Sequence, residues 1–133
     1  MKVCGIELKA NNIILCIVQN KQYEEVKIKK IQINDDENQD EIFDIRTQIE
    51  TFLLRNDIKK VMIKKRAKKG NFSGGAVTFK LESIIQLNNI CKVEFISAQS
   101  LSKFQKQNEI IFPDNLNKYQ EQAYLAALYI YNN

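Results

Sequence analysis

Lys2-Val-Cys-Gly-Ile-Glu-Leu-Lys9 is the stretch from which the fold is read. Alternation along a strand puts Val3, Gly5 and Glu7 on one face and Cys4, Ile6 and Leu8 on the other. Gly5 has no side chain, so another element or a ligand can approach the backbone beside Glu7. Glu7 then stands at the carboxyl end of a first, central strand.

Outward from this strand, Lys9-Ala-Asn-Asn12 reads as a turn and Ile13–Val18 as a β-branched second strand. Asn20-Lys-Gln22 turns again, and Tyr23–Ile33 reads as a third strand, although Ile31 breaks its alternation. Its interleaved lysines suit a sheet edge, and the short connections make the three strands a meander. Asp35 or Asp36 is placed to cap a helix with the stripe Ile42, Ile45, Ile49, Phe52 and Leu53. Lys60–Lys65 reads as a fourth strand, because Val61-Met-Ile63 between polar flanks suits a parallel strand covered on both faces.

A basic loop, Lys64–Gly75, leads to a helix over Ala76–Leu87, with Val77, Leu81, Ile84 and Ile85 inward. Lys92–Ser97 is the fifth strand, and Gln99–Gln107 is a short helix. Pro113-Asp114 opens a last helix to about Tyr131, whose Ala123, Ala126 and Ala127 let it lie close to the sheet. These elements predict an α/β fold: a five-stranded mixed sheet in the order 3-2-1-4-5, with helices on both faces. The carboxyl ends of the first and fourth strands then meet where ligands bind in such sheets.

The 133 residues fit one domain, 1–133, and can bury one core. No apolar run reaches the roughly 18 residues of a membrane span, and the N-terminus lacks a signal-peptide pattern. The expected location is cytoplasmic, with no membrane partner. Cys4, Cys16 and Cys91 form no Cys-x-x-Cys pair and there is no histidine. That argues against a disulfide framework or a typical zinc site, and excludes Ser-His-Asp and Cys-His catalysis. The net charge of +4 is modest, but it is segregated. Residues 35–44 carry Asp35, Asp36, Glu37, Asp40, Glu41 and Asp44, whereas Lys64, Lys65, Arg66, Lys68 and Lys69 cluster in the loop. The acidic run suits the first turn of a helix better than a metal site.

The arrangement resembles the ribonuclease H-like fold, and within it the RuvC-like Holliday-junction resolvase branch. Val3-Cys-Gly-Ile-Glu-Leu8 is similar to the Gly-Ile-Asp first strand of that branch. Val61-Met-Ile-Lys-Lys65, with Gly74-Gly-Ala-Val77 after it, resembles the fourth strand and following helix. The whole chain also resembles a small uncharacterised bacterial family, through its opening Met-Lys-Val-Cys-Gly-Ile-Glu-Leu, Gly74-Gly-Ala-Val77 and Phe79-Lys-Leu-Glu82. In active relatives, the resemblance implies, carboxylates from the first strand, the fourth strand and the last helix bind two divalent metals that activate water. Glu7 takes the first position, and the fourth-strand position falls at about Lys65, a cation that cannot ligate while protonated. Glu121 lies near the last-helix position, and Glu82 could join only if its face is right. The metals implied are Mg²⁺ or Mn²⁺.

Each of these features also has a structural reading. Glu7 can pair with Lys64 or Lys65, Glu121 can be a solvated helix residue, and the lysine-rich loop can be a solvated loop. The loop carries more weight because it borders the expected ligand edge. Phe72 could stack on a base, and Ser73-Gly-Gly75 leads into a helix N-terminus that suits a phosphate.

The reading taken forward is a nucleic-acid-binding, ribonuclease H-like protein with weakened or lost nuclease activity. Lys64, Lys65, Arg66, Lys68 and Lys69 would contact the phosphates of DNA or RNA, with Phe72 and Ser73 beside them. One alternative is an active metal-dependent nuclease, with Glu7 and Glu121 catalytic and Glu82 a further ligand. Another is a non-catalytic protein-interaction module that uses the acidic segment or the tyrosine-rich last helix. It would take a protein partner or a second copy of the chain.

Overall fold

The opening strand is central in the computed structural model, which describes residues 1–66 and 75–132. Strand β1 (Lys2–Lys9) pairs antiparallel with β2 (Asn12–Gln19) and parallel with β5 (Ile58–Lys64). Beyond β5 lies β6 (Lys92–Ile96), also parallel. On the far side of β2 lie β3 (Gln22–Glu24) and β4 (Lys30–Gln32), both antiparallel to it.

The expected strand order is realised, but the sheet has six strands because the third one is broken. Residues 25–29 bow out between β3 and β4, opposite only Leu15 and Cys16 of β2. Val26 packs on the core there, while Ile28 is exposed. Five residues facing two cannot stay in register, so the edge bulges. The β2–β3 hairpin turns on Asn20 and Lys21, both at positive φ (52° and 69°), the backbone that a tight right-twisted hairpin demands.

Helices cover both faces. Helix α1 (Gln39–Arg55) and α2 (Ala76–Gln86) lie over Cys4, Ile6, Leu8, Val61 and Ile63. The α1 stripe is as expected, with Ile45, Ile49, Phe52 and Leu53 buried. Its cap is Asn38, not Asp35 or Asp36: the Asn38 side chain accepts from the Glu41 N–H at 3.1 Å. Asp35 instead accepts from Glu37 N–H, and Asp36 pairs with Lys80 at 3.1 Å, tying the start of α1 to α2.

On the opposite face, α3 (Ala98–Asn108) and α4 (Glu121–Tyr129) pack on Val3, Ile14, Cys16, Val18 and Met62. Helix α4 presses on β1 at Gly5. A Cβ there would stand 1.8 Å from the Ala123 carbonyl oxygen and 2.6 Å from the Ala127 nitrogen. Ala123, Ala126 and Ala127 are all fully buried, as so close an approach requires.

The last helix starts later than Pro113-Asp114 suggests. A 3-10 turn over Lys118–Gln120 precedes α4, and the turn is preceded by Asn117. Among the described residues, no helix is long and apolar enough to cross a membrane.

Candidate functional site

Three elements bring side chains to the carboxyl edge of the sheet beneath α4. Glu7 shares the α4-facing side of β1 with Val3 and Gly5. Lys64 shares that side of β5 with Met62, two residues before it. Helix α4 contributes Glu121 and Gln122 from its first turn.

Lys64 Nζ stands 3.6 Å from Glu7 Oε2 and donates to Gln122 Oε1 at 3.0 Å. The Lys64 and Glu7 side chains are only 22% and 19% exposed, which shelters the pair from water. Such a rim pair contributes about 1 kcal/mol or less to folding, so its interest is chemical. It places an ammonium directly against the strand carboxylate. Beside the pair opens a cleft of about 600 Å³ lined by Glu7, Lys9, Asn117, Lys118, Tyr119, Glu121 and Gln122.

Glu7 and Glu121 therefore share a cleft, whereas Glu82 does not join them. Helix α2 lies on the other face of the sheet, where Glu82 pairs with Arg66 at 3.6 Å. The Arg66 guanidinium also lies 4.5 Å from the centre of the Phe79 ring, so it is turned inward. Lys65 follows the end of β5, and its N–H donates to the Ile96 carbonyl at 2.7 Å. Its exposed side chain lines a small hollow with Arg66, Glu82, Gln86 and Phe95. The cation facing Glu7 is thus Lys64, not Lys65. Strand β5 ends one residue earlier than expected; the register of Gly5 on Met62 carries Lys64 level with Glu7 on the same face, and Lys65, one step further in a period of two, falls on the other. Lys68, Lys69, Phe72 and Ser73 lie outside the described residues.

Whether this edge suits two divalent metals turns on its donors. Among the described residues, no three Asp, Glu, His or Cys side chains come together. Residues 67–74 contain none of those types. Two carboxylates, one of them already facing an ammonium, are too few hard oxygen donors for a pair of Mg²⁺ or Mn²⁺ ions. The described donor set does not fit a two-metal centre.

Sequence reasoning missed Lys9, Lys118 and Tyr119 as lining residues and Gln120 as their support. Gln120 is fully buried; its Nε2 donates to the Leu15 carbonyl at 3.0 Å, and its Oε1 accepts from the Asn117 N–H at 3.2 Å. The signal was Asn117-x-x-Gln120, the spacing of a reciprocal helix cap. The preceding Pro113-Asp114 drew the helix start away from it.

The tyrosine-rich helix is mostly spent on packing. Tyr124 meets Tyr23 and Phe112 edge-on, Tyr129 meets Phe104, and Tyr131 accepts from the Asn20 N–H and donates to the Met1 carbonyl.

The sheet order, the two helical layers and the carboxyl-edge cleft define a ribonuclease H-like α/β protein. Thermus thermophilus RuvC has a similar structure, with a TM-score of 0.75, 11% identity, and 96% of this chain and 92% of that chain covered. The same protein in complex with a Holliday junction substrate gives a TM-score of 0.73 at 11% identity, covering 96% and 90% of the two chains. The yeast mitochondrial Holliday junction resolvase Ydc2 is more distant, with a TM-score of 0.51, 16% identity, and 98% and 68% covered. These likenesses establish the fold. By sequence the chain belongs to the family described as protein of unknown function (DUF3010), which matches residues 1–130. No curated protein matches it.

Proposed function

We propose that residues 1–133 form one cytoplasmic ribonuclease H-like domain that binds DNA or RNA across the carboxyl edge of its sheet, with nuclease chemistry weakened or lost. The observation that carries this reading is the Lys64 ammonium against Glu7 and Gln122. A cation fixed against Glu7 opposes the gathering of metal ligands there, and because the carboxylate meets its charge, phosphate contacts fall to the other lysines of the edge. Lys65 and Lys118 are exposed at the same edge, and Lys68 and Lys69 follow closely in sequence. The RuvC structure on a Holliday junction substrate shows a relative of this fold engaged with branched DNA, which supports a nucleic-acid partner.

Binding by lysines displaces counterions from the phosphates. It should therefore persist in a chelator and weaken on the order of hundredfold between about 50 and 200 mM salt for some four phosphate contacts. The test incubates the protein and Glu7→Gln with labelled single-stranded, duplex, hybrid and branched DNA and RNA, with EDTA, Mg²⁺ or Mn²⁺. Salt-sensitive complexes in EDTA without Glu7-dependent cleavage support the proposal. Cleavage by the wild type that disappears in Glu7→Gln replaces it with the metal-dependent nuclease. Neither binding nor cleavage by any substrate leaves the protein-interaction module.

A further inference from the structure

Tyr119 is the large aromatic side chain of the cleft, and packing does not account for it. The residue is 41% exposed and lines the same cleft as Glu7. Tyr23, Phe104, Phe112, Tyr124 and Tyr129 are engaged edge-on with one another, and Tyr119 joins none of those pairs. Among the described residues, its hydroxyl meets only the Asn117 side-chain amide, at 3.4 Å. Lys30 Nζ sits over the ring, 5.2 Å from its centre, and steadies it from one face.

Lys9 and Lys118 line the cleft beside Tyr119, and Lys30 lies over its ring. Lys2, Lys60 and Lys80 are each neutralised by a carboxylate, at 2.9 Å from Glu24, 2.9 Å from Glu94 and 3.1 Å from Asp36. Lys9, Lys30 and Lys118 have no such ion pair with a described acidic side chain, although Glu7 and Glu121 line the cleft beside Lys9 and Lys118. An exposed ring set among unneutralised ammonium groups matches a nucleotide, whose base is apolar and planar and whose phosphate is anionic. A base inside a duplex is already stacked on its neighbours and cannot use the ring.

We propose that Tyr119, framed by Lys9, Lys30 and Lys118, is a stacking platform for an unpaired base, so that this wall of the cleft takes single-stranded nucleic acid. The inference rests on the reading that the carboxyl edge binds nucleic acid, and it adds the strand state. Tyr119 orients the base, and the three lysines hold the adjoining phosphates.

The test is fluorescence anisotropy of a labelled single strand and of the same sequence closed into a duplex, in EDTA. The proteins are the wild type, Tyr119→Ala and Tyr119→Phe. Loss of one stacked base should weaken single-strand binding by Tyr119→Ala roughly tenfold, with duplex binding unchanged and Tyr119→Phe within about twofold of the wild type. Phenylalanine keeps the ring, so its rescue separates stacking from a folding defect. Single-strand binding by Tyr119→Ala equal to that of the wild type overturns the inference and leaves nucleic-acid binding intact. Equal losses on single strand and duplex overturn it too, because stacking on an unpaired base cannot produce them. A wild type that binds no nucleic acid overturns both readings together.

Discussion

Gly5 sets how near the last helix comes to the sheet. Placing a methyl group 1.8 Å from a backbone oxygen gives the helix no flexible side chain to move aside, so α4 itself must shift. Gly5→Ala should cost about 3 kcal/mol or more, at the upper end of core overpacking, and should displace Glu121 and Gln122 from Glu7. Urea denaturation measures the cost; a loss under about 1 kcal/mol would mean that the helix yields easily. This contact was legible, because a glycine in a strand and three alanines in a helix are complementary shapes. The partner of Glu7 was only half legible. A lysine there was foreseeable, but which lysine depends on the register of β5 against β1. Lys64→Glu would exchange the ammonium for a third carboxylate beside Glu7 and near Glu121. That variant should be less stable than the wild type without metal, and Mn²⁺ should raise its melting temperature by about 3 °C or more while leaving the wild type unmoved. Equal responses of the two proteins to Mn²⁺ would contradict the role given to Lys64.

The broken edge strand and the start of α4 are one device. The N–H and carbonyl of Leu15 both point toward the break. The first donates to the Lys29 carbonyl at 2.9 Å and the second accepts from Gln120 at 3.0 Å. A buried glutamine thus completes a ladder that the edge strand leaves open, and in doing so it fixes the 3-10 turn that carries Lys118 and Tyr119. Gln120→Leu keeps the volume and leaves the Leu15 carbonyl without a partner, which should cost about 1–3 kcal/mol. Amide exchange should speed up at Asn117 and in the first turn of α4 while α1 stays protected; uniform protection would deny the link. The breakage of Tyr23–Ile33 was only hinted at, by Ile31 falling out of alternation. A strand pattern records which residues are buried, not whether every residue finds a partner across the ladder.

At the scale of the whole molecule, β1 divides two cores that share no helix. Cys4 lies in the α1–α2 core and Cys16 in the α3–α4 core, on opposite sides of the sheet. Burial pushes the Cys4 thiol up to about 12 from an ordinary 9.0, and burial with the nearby Cys4 raises Cys16 as well. Both thiols stay protonated in the folded chain. Below pH 9 the folded and unfolded states bind the same thiol protons and these groups leave stability unchanged. Above it the unfolded chain ionises first, and each thiol removes about 1.4 kcal/mol per pH unit until the folded pKa is reached. The melting temperature should therefore fall from about pH 9 upward, less steeply in Cys16→Ala than in the wild type. Parallel curves would show that other groups govern the alkaline limit. Neither buried thiol should react with a disulfide reagent until the protein unfolds.

Residue patterns alone determined the layers, the strand order and the central place of β1. These follow from local periodicity: two for strands, near four for helices, with glycine and alanine marking the close contact. They also located the edge at which β1 and β5 end together, because chain order decides which carboxyl ends meet. The tertiary structure decided which side chains face one another across that edge. It set Lys64 rather than Lys65 on Glu7, turned Arg66 and Glu82 to the other face, and brought Lys9, Lys30 and Tyr119 together from distant parts of the chain. Such meetings depend on the register of one strand against the next and on where a helix starts, and a slip of one residue in register reverses a face. Local pattern is too coarse to set either; packing against the rest of the chain is what fixes them.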